Sequence, residues 1–215
     1  MNNQLQETTV FFDLDGTLTD PKEGITRSIQ YALERLGHEV PNVDELEWCI
    51  GPPLQASMAS LVGEQAAESA VTYYRERFSD IGWAENTPYD GIHDVLSNLR
   101  QSGATLYVAT SKPHVFANRI LDHFELSNYF SGVYGSELDG THSDKSELLR
   151  YALNTINLSH QATMIGDRSH DIIGALSNDM NSVGVTYGYG TYEELHSSGA
   201  HQIVNAPGEL CSILT

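Results

Sequence analysis

Short apolar runs alternating with amphipathic stretches constrain this chain more than any other feature. Residues 105–109 (Thr-Leu-Tyr-Val-Ala) and 162–165 (Ala-Thr-Met-Ile) are too short for helices and read as strands, as does the earlier run Val10-Phe11-Phe12. Amphipathic helices fall between them. One, over residues 91–100, carries Ile92, Val95, Leu96 and Leu99 on a single face; the next, opening at Pro113, carries Phe116, Ile120, Leu121 and Phe124. A third opens at Ser143-Asp144-Lys145 and runs through Leu148, Leu149, Ala152 and Ile156, and a fourth covers residues 170–177. Shorter strands are predicted at 132–134, 182–185 and 203–204. Strands separated by helices of this length pair in parallel through right-handed crossovers, so the expected class is α/β, a parallel sheet flanked by helices.

Residues 20–83 break the alternation. Asp20, Pro21 and Glu23 signal a helix start, Ile25, Ile29, Ala32, Leu33 and Leu36 continue an apolar stripe, and Gly37 closes it. Further helical stretches are predicted at 43–48, 54–62 and 66–78, with a rigid bend at Gly51-Pro52-Pro53-Leu54. Nothing there reads as a strand. The expected organisation is an α/β core of residues 1–19 and 84–215 with an all-helical cap inserted at 20–83.

The 215 residues carry 11 Lys and Arg against 29 Asp and Glu, a net charge of −18, which argues against nucleic acid or an anionic membrane as partner. No apolar run approaches a membrane span, and Met1-Asn2-Asn3-Gln4 lacks the basic and apolar regions of a signal peptide, so a cytoplasmic location is expected. Cys49 and Cys211 have no metal-ligand spacing and read as core thiols. Only three lysines are present, Lys22, Lys112 and Lys145, so an anion site has few cations to draw on.

In an open parallel sheet, ligands bind beyond the carboxyl ends of the strands. Just past three predicted strands stand Asp13 and Asp15, Thr110 and Ser111, and Asp167, with Lys145 on the helix before the third strand. Asp13 and Asp15 are two apart on an extended chain and face one volume, where like charges need a cation or a shared proton. Asp171 follows Asp167 by one helical turn. The alternative is that each of these residues is an ordinary turn, cap or solvated helix residue.

Four segments, in order, resemble the motifs of the haloacid dehalogenase-like hydrolases: Phe12-Asp13-Leu14-Asp15-Gly16-Thr17-Leu18, Val108-Ala109-Thr110-Ser111-Lys112-Pro113, Lys145, and Ile165-Gly166-Asp167-Arg168-Ser169-His170-Asp171. The chain is most similar to the phosphoglycolate phosphatase-like branch, whose helical cap lies between the first and second motifs. That resemblance implies a Rossmann-like core and a Mg²⁺-dependent phosphatase acting on a small-molecule phosphate ester, as a monomer or small homo-oligomer. It implies Asp13 as nucleophile, Asp15 as general acid and base, Thr110 and the Ser111 backbone as phosphate ligands, and Lys145 as the neutralising cation. It further implies metal binding by Asp13, Asp15, Asp167 and Asp171, and substrate contact by Gly51 and Pro52. Phosphoglycolate, nucleotides and sugar phosphates all remain open as substrates, and a sugar-phosphate mutase would share this core. A phosphoacceptor receiver domain lacks the helical insertion, and a Schiff-base phosphonate hydrolase needs a cap lysine, absent from residues 23–111.

Overall fold

A computed structural model describes residues 8–158 and 161–214; the polar start at residues 1–4 lies outside them. Six parallel strands form the central sheet: β1 (Thr9–Phe12), β4 (Thr105–Pro113), β5 (Gly132–Ser136), β6 (Ala162–Gly166), β7 (Asn181–Val185) and β8 (Gln202–Val204), in the order β5-β4-β1-β6-β7-β8. The first strand is thus central, and chain order reverses on either side of it, which opens a crevice at its carboxyl end. A two-residue antiparallel pair, β2 (Thr19–Asp20) with β3 (Thr87–Pro88), joins the point where the chain leaves the core to the point where it returns.

Every residue of β1 is buried because the sheet is covered on both faces. Val10 and Phe12 point into a cluster with α4 (Ile92–Gln101), α5 (His114–His123) and α9 (Leu210–Leu214), through Leu96, Leu99, Ile120 and Leu210. Phe11, one residue out of phase, packs with Leu148 and Leu149 of α6 (Lys145–Ile156) and Ala175 of α7 (Ser169–Leu176), its ring stacked on Tyr107 at 5.1 Å. The short helix α8 (Tyr192–Ser197) follows β7.

The helices α1 (Lys22–Leu36), α2 (Leu54–Val62) and α3 (Glu64–Asp80), with a 3₁₀ segment at Val43–Cys49, bury a hydrophobic cluster of their own around Ile29, Leu33, Met58, Ala70 and Phe78. The α1 start differs from the expected one: the helix begins at Lys22, and Asp20 Oδ1 accepts a hydrogen bond from the Lys22 N–H at 3.0 Å, so Asp20 caps from one residue further out. Three arginines clip this helical layer to the core. Arg168 Nη1 donates to Ile50 O (2.6 Å), Arg75 Nη2 to Leu138 O (2.7 Å) and Arg119 Nη1 to Ser79 O (2.7 Å). Among the described residues no helix is long and apolar enough to cross a membrane.

Candidate active site

The strand β1 ends at Phe12, and Asp13 stays anchored to it because its N–H still donates to Ile165 O of β6 at 2.9 Å. The residue is 3 % exposed. Oδ1 accepts from the Leu14 N–H (2.8 Å) and lies 3.0 Å from Lys145 Nζ, which fixes the carboxylate's orientation. Lys145, at the first turn of α6, is equally buried; it lies 2.8 Å from Asp171 Oδ1 and donates to Ala109 O at 2.8 Å. Burial alone would depress this ammonium, but Asp13 and Asp171 together hold it above the ordinary lysine range.

The carboxylates respond unequally. Burial raises Asp13 above the ordinary range, and Asp171 adds to the rise against the pull of Lys145. Asp167 is pushed well above it, first by burial, then by Asp171 and Asp13. Burial acts the same way on Asp171, yet Lys145, His170 and the hydrogen bond from the Arg168 N–H bring it below. Asp171 is therefore the ionised partner of Lys145, with Oδ1 on the ammonium and Oδ2 on a backbone donor.

Asp167 is held from another direction. The Tyr189 N–H donates to Oδ2 at 2.8 Å, Thr17 Oγ1 lies 3.4 Å from Oδ1, and Tyr187 OH donates to Thr17 O at 3.1 Å. The loop Tyr187-Gly188-Tyr189-Gly190 thus wraps the carboxylate, and Tyr189 OH also reaches Asp20 Oδ1. Gly16 makes this close approach feasible. Its φ of +81° suits glycine, and a Cβ there would run into the Asp167 carboxylate. Gly16→Ala should therefore cost about 1–2 kcal/mol of stability for the backbone alone and, by displacing Asp167, on the order of 10²-fold in activity; thermal melts and initial rates check both.

Asp15, 8 % exposed, pairs through Oδ2 with Lys112 Nζ at 2.5 Å, whereas Oδ1 is buried without a hydrogen-bond partner among the described residues. Thr110 is buried at the end of the regular β4 register, its hydroxyl accepting from the Lys112 N–H at 3.2 Å. A cavity of about 400 Å³ opens over these groups. Asp13, Asp15, Thr110, Ser111 and Lys112 form its floor, Gly51, Pro52 and Pro53 one side, and Val71, Tyr74, Phe78 and Phe116 an apolar wall. Gly51 and Pro52, which the resemblance implies as substrate contacts, thus line this cavity. Arg27 and Arg77 both pair with Glu85 and are not among the residues that line the cavity, whereas Arg75 is.

Lys112, Arg168 and the 187–190 loop are the residues that sequence reasoning missed. Arg168 reads as a surface residue in the sequence, but its side chain is only 17 % exposed and bridges Glu194 to the Ile50 carbonyl.

A parallel sheet whose switch-point crevice gathers buried carboxylates and two ammoniums has the layout of the ligand-binding end of an open α/β enzyme fold. The chain belongs to the haloacid dehalogenase-like hydrolases, whose family model matches residues 10–185. It is 48% identical over 212 residues to a 5'-nucleotidase of Pseudomonas aeruginosa, covering 97% of this chain and 95% of the relative. It is 38% identical to the tyrosine-protein kinase PtkA of Mycobacterium tuberculosis, covering 92% and 68%, and 27% identical to a phosphoglycolate phosphatase of Colwellia psychrerythraea, covering 96% and 97%. Among solved structures, a predicted phosphatase from Clostridium acetobutylicum superimposes with a TM-score of 0.92 at 48% identity, covering 96% and 97% of the two chains.

Proposed function

We propose that the protein is a Mg²⁺-dependent phosphatase of small phosphomonoesters that works through an aspartyl-phosphate on Asp13. One observation carries the reading: a buried carboxylate with one oxygen clamped by Lys145 and a backbone N–H stands at the floor of a cavity large enough for a small ester. With Oδ1 held, Oδ2 is the oxygen that attacks phosphorus. Thr110 and the Ser111 backbone receive the phosphoryl oxygens, Asp15 protonates the departing oxygen and then activates water, and Lys145 offsets the charge gathering on Asp13.

The residues fit a divalent cation. Asp13, Asp167 and Asp171 are each buried, Lys145 lies within ion-pair distance of Asp13 and Asp171, and burial together with repulsion from Asp171 raises Asp13 and Asp167. Such a set is relieved by a hard cation, and oxygen donors suit Mg²⁺. Asp13 and Asp167 would hold it. Asp171, occupied by Lys145 and the Arg168 N–H, would position them, and the pairing with Lys112 favours acid and base work over ligation for the Asp15 side chain. When bound, Mg²⁺ supplies charge neutralisation for the transferring phosphoryl group.

The helical layer acts as a cap that sets substrate choice. Its wall is apolar and aromatic, Glu68, Glu137 and Asp139 also line the cavity, and Arg75, which lines it too, is tied to the Leu138 carbonyl, an environment that suits the neutral sugar and base of a nucleoside monophosphate better than the second carboxylate of phosphoglycolate. The resemblance to a 5'-nucleotidase supports the same order. Assayed against a panel of phosphate esters, the protein should release phosphate fastest from nucleoside 5'-monophosphates with Mg²⁺ and lose activity in EDTA. Chelator-resistant turnover would contradict the metal assignment, and conversion between sugar-phosphate isomers would favour a mutase.

A further inference from the structure

Of the two lysines inside the motif segments, Lys112 is the one left without a task, yet its side chain is only 5 % exposed. Its ammonium touches two parts of the molecule. On the core side it meets Asp15 Oδ2 at 2.5 Å; on the side of the helical layer it stands 4.9 Å from the centre of the Phe78 ring, a cation–π contact. Phe78 is 2 % exposed, stacked on Tyr74 and edge-on to Phe116 of α5, so its ring is fixed. The other oxygen of Asp15, Oδ1, is buried with no hydrogen-bond partner among the described residues, beside a cavity that Asp15 and Lys112 both line.

We propose that Lys112 is a positioning residue for leaving-group protonation: held under the Phe78 ring, its ammonium engages Asp15 Oδ2 and so reserves Oδ1 to carry the proton to the departing oxygen. An ammonium only donates, so the oxygen facing it must accept, and the carboxylic acid form of Asp15 keeps its proton on the opposite oxygen. As Asp13 Oδ2 bonds to phosphorus, the bond to the leaving oxygen breaks; that oxygen keeps the bonding pair and takes the Oδ1 proton, leaving Asp15 an anion paired with Lys112. The attacking water then returns a proton to Oδ1 as it displaces Asp13. Because Phe78 belongs to the helical layer, the arrangement is complete only while that layer is closed on the core.

The inference rests on the acid and base reading of Asp15, and the test separates the two. Values of kcat/KM are measured with Mg²⁺ for K112M, K112Q, K112R and D15N on p-nitrophenyl phosphate, whose phenoxide leaves without a proton, and on a nucleoside 5'-monophosphate, whose alkoxide does not. K112M and K112Q should lose roughly 10²-fold on the nucleotide and far less on the aryl ester, and K112R should recover most of the loss. Thermal melts establish that the variants fold; K112R retains the charge and remains informative if the neutral variants unfold, since wild-type selectivity is expected of it. Equal losses on both esters, or none, would overturn the role of Lys112 while D15N still showed the selective loss. If D15N showed no selectivity, the acid reading itself would fall.

Discussion

Asp13→Asn should abolish turnover while the protein stays folded. The amide keeps the shape and can accept the Leu14 N–H, but it is not a nucleophile towards phosphorus, so the loss should reach roughly 10⁴-fold or more in kcat. Stability should move the other way. Burial and Asp171 raise Asp13 above its ordinary range, which means that the folded protein bears the charged form at a cost near neutral pH without a cation. Asn removes that charge, and the melting temperature in EDTA should hold or rise. A variant that released phosphate at the parent rate would remove Asp13 from the reaction. One that was inactive because it had unfolded would show that the carboxylate builds the fold.

Lys145→Met has the largest expected effect on stability. The methionine fills the stem's space, but Asp13 and Asp171 then lose the ammonium 3.0 and 2.8 Å away, and the Ala109 carbonyl loses its donor. Removing one partner of a buried ionic group costs about 3–5 kcal/mol because the remaining charge has no water to turn to. In a chain of this size that lowers the melting temperature by roughly 10 °C. Lys22, which pairs with Asp44 and Glu47 near solvent, is the contrast: water and salt already screen it, so K22M should move the melting temperature little. Similar losses in the two variants, compared by differential scanning calorimetry, would mean that the buried network holds less of the fold than its geometry implies.

Much of this was legible along the chain because the relevant spacings are local. The alternation of Val10-Phe11-Phe12 with later amphipathic stretches gives a sheet buried on both faces, and the parallel order then places Asp13, Thr110 and Asp167 at one edge without further information. Lys145 was legible for a related reason: the first turn of the helix leading into β6 can only lie near that edge. The contacts that escaped are those that side chains make across the molecule. Lys112 meets Asp15 across 97 positions, and Arg168 meets Ile50 across 118. A lone lysine or arginine carries no periodic signal, and its usual place is in water. The loop around Asp167 had a fainter trace, the Tyr-Gly-Tyr-Gly run at 187–190, where small residues let backbone approach a carboxylate. Thr191 with Glu194 has the spacing of a capping box at the start of α8, and only half of the box forms. The Glu194 N–H does donate to Thr191 Oγ1 at 3.1 Å, but its carboxylate turns to Arg168 and the Ser169 N–H, drawn off by a stronger, charge-assisted pairing.

The most direct test of the central claim is rapid acid quench of the enzyme during turnover of a phosphomonoester with Mg²⁺, followed by peptide mapping. The phosphoryl group should be found on the peptide that contains Asp13, as an acid-stable and hydroxylamine-labile adduct, and should be absent from D13N. Phosphate released in the first turnover with no labelled protein, or a label on any other residue, would contradict it.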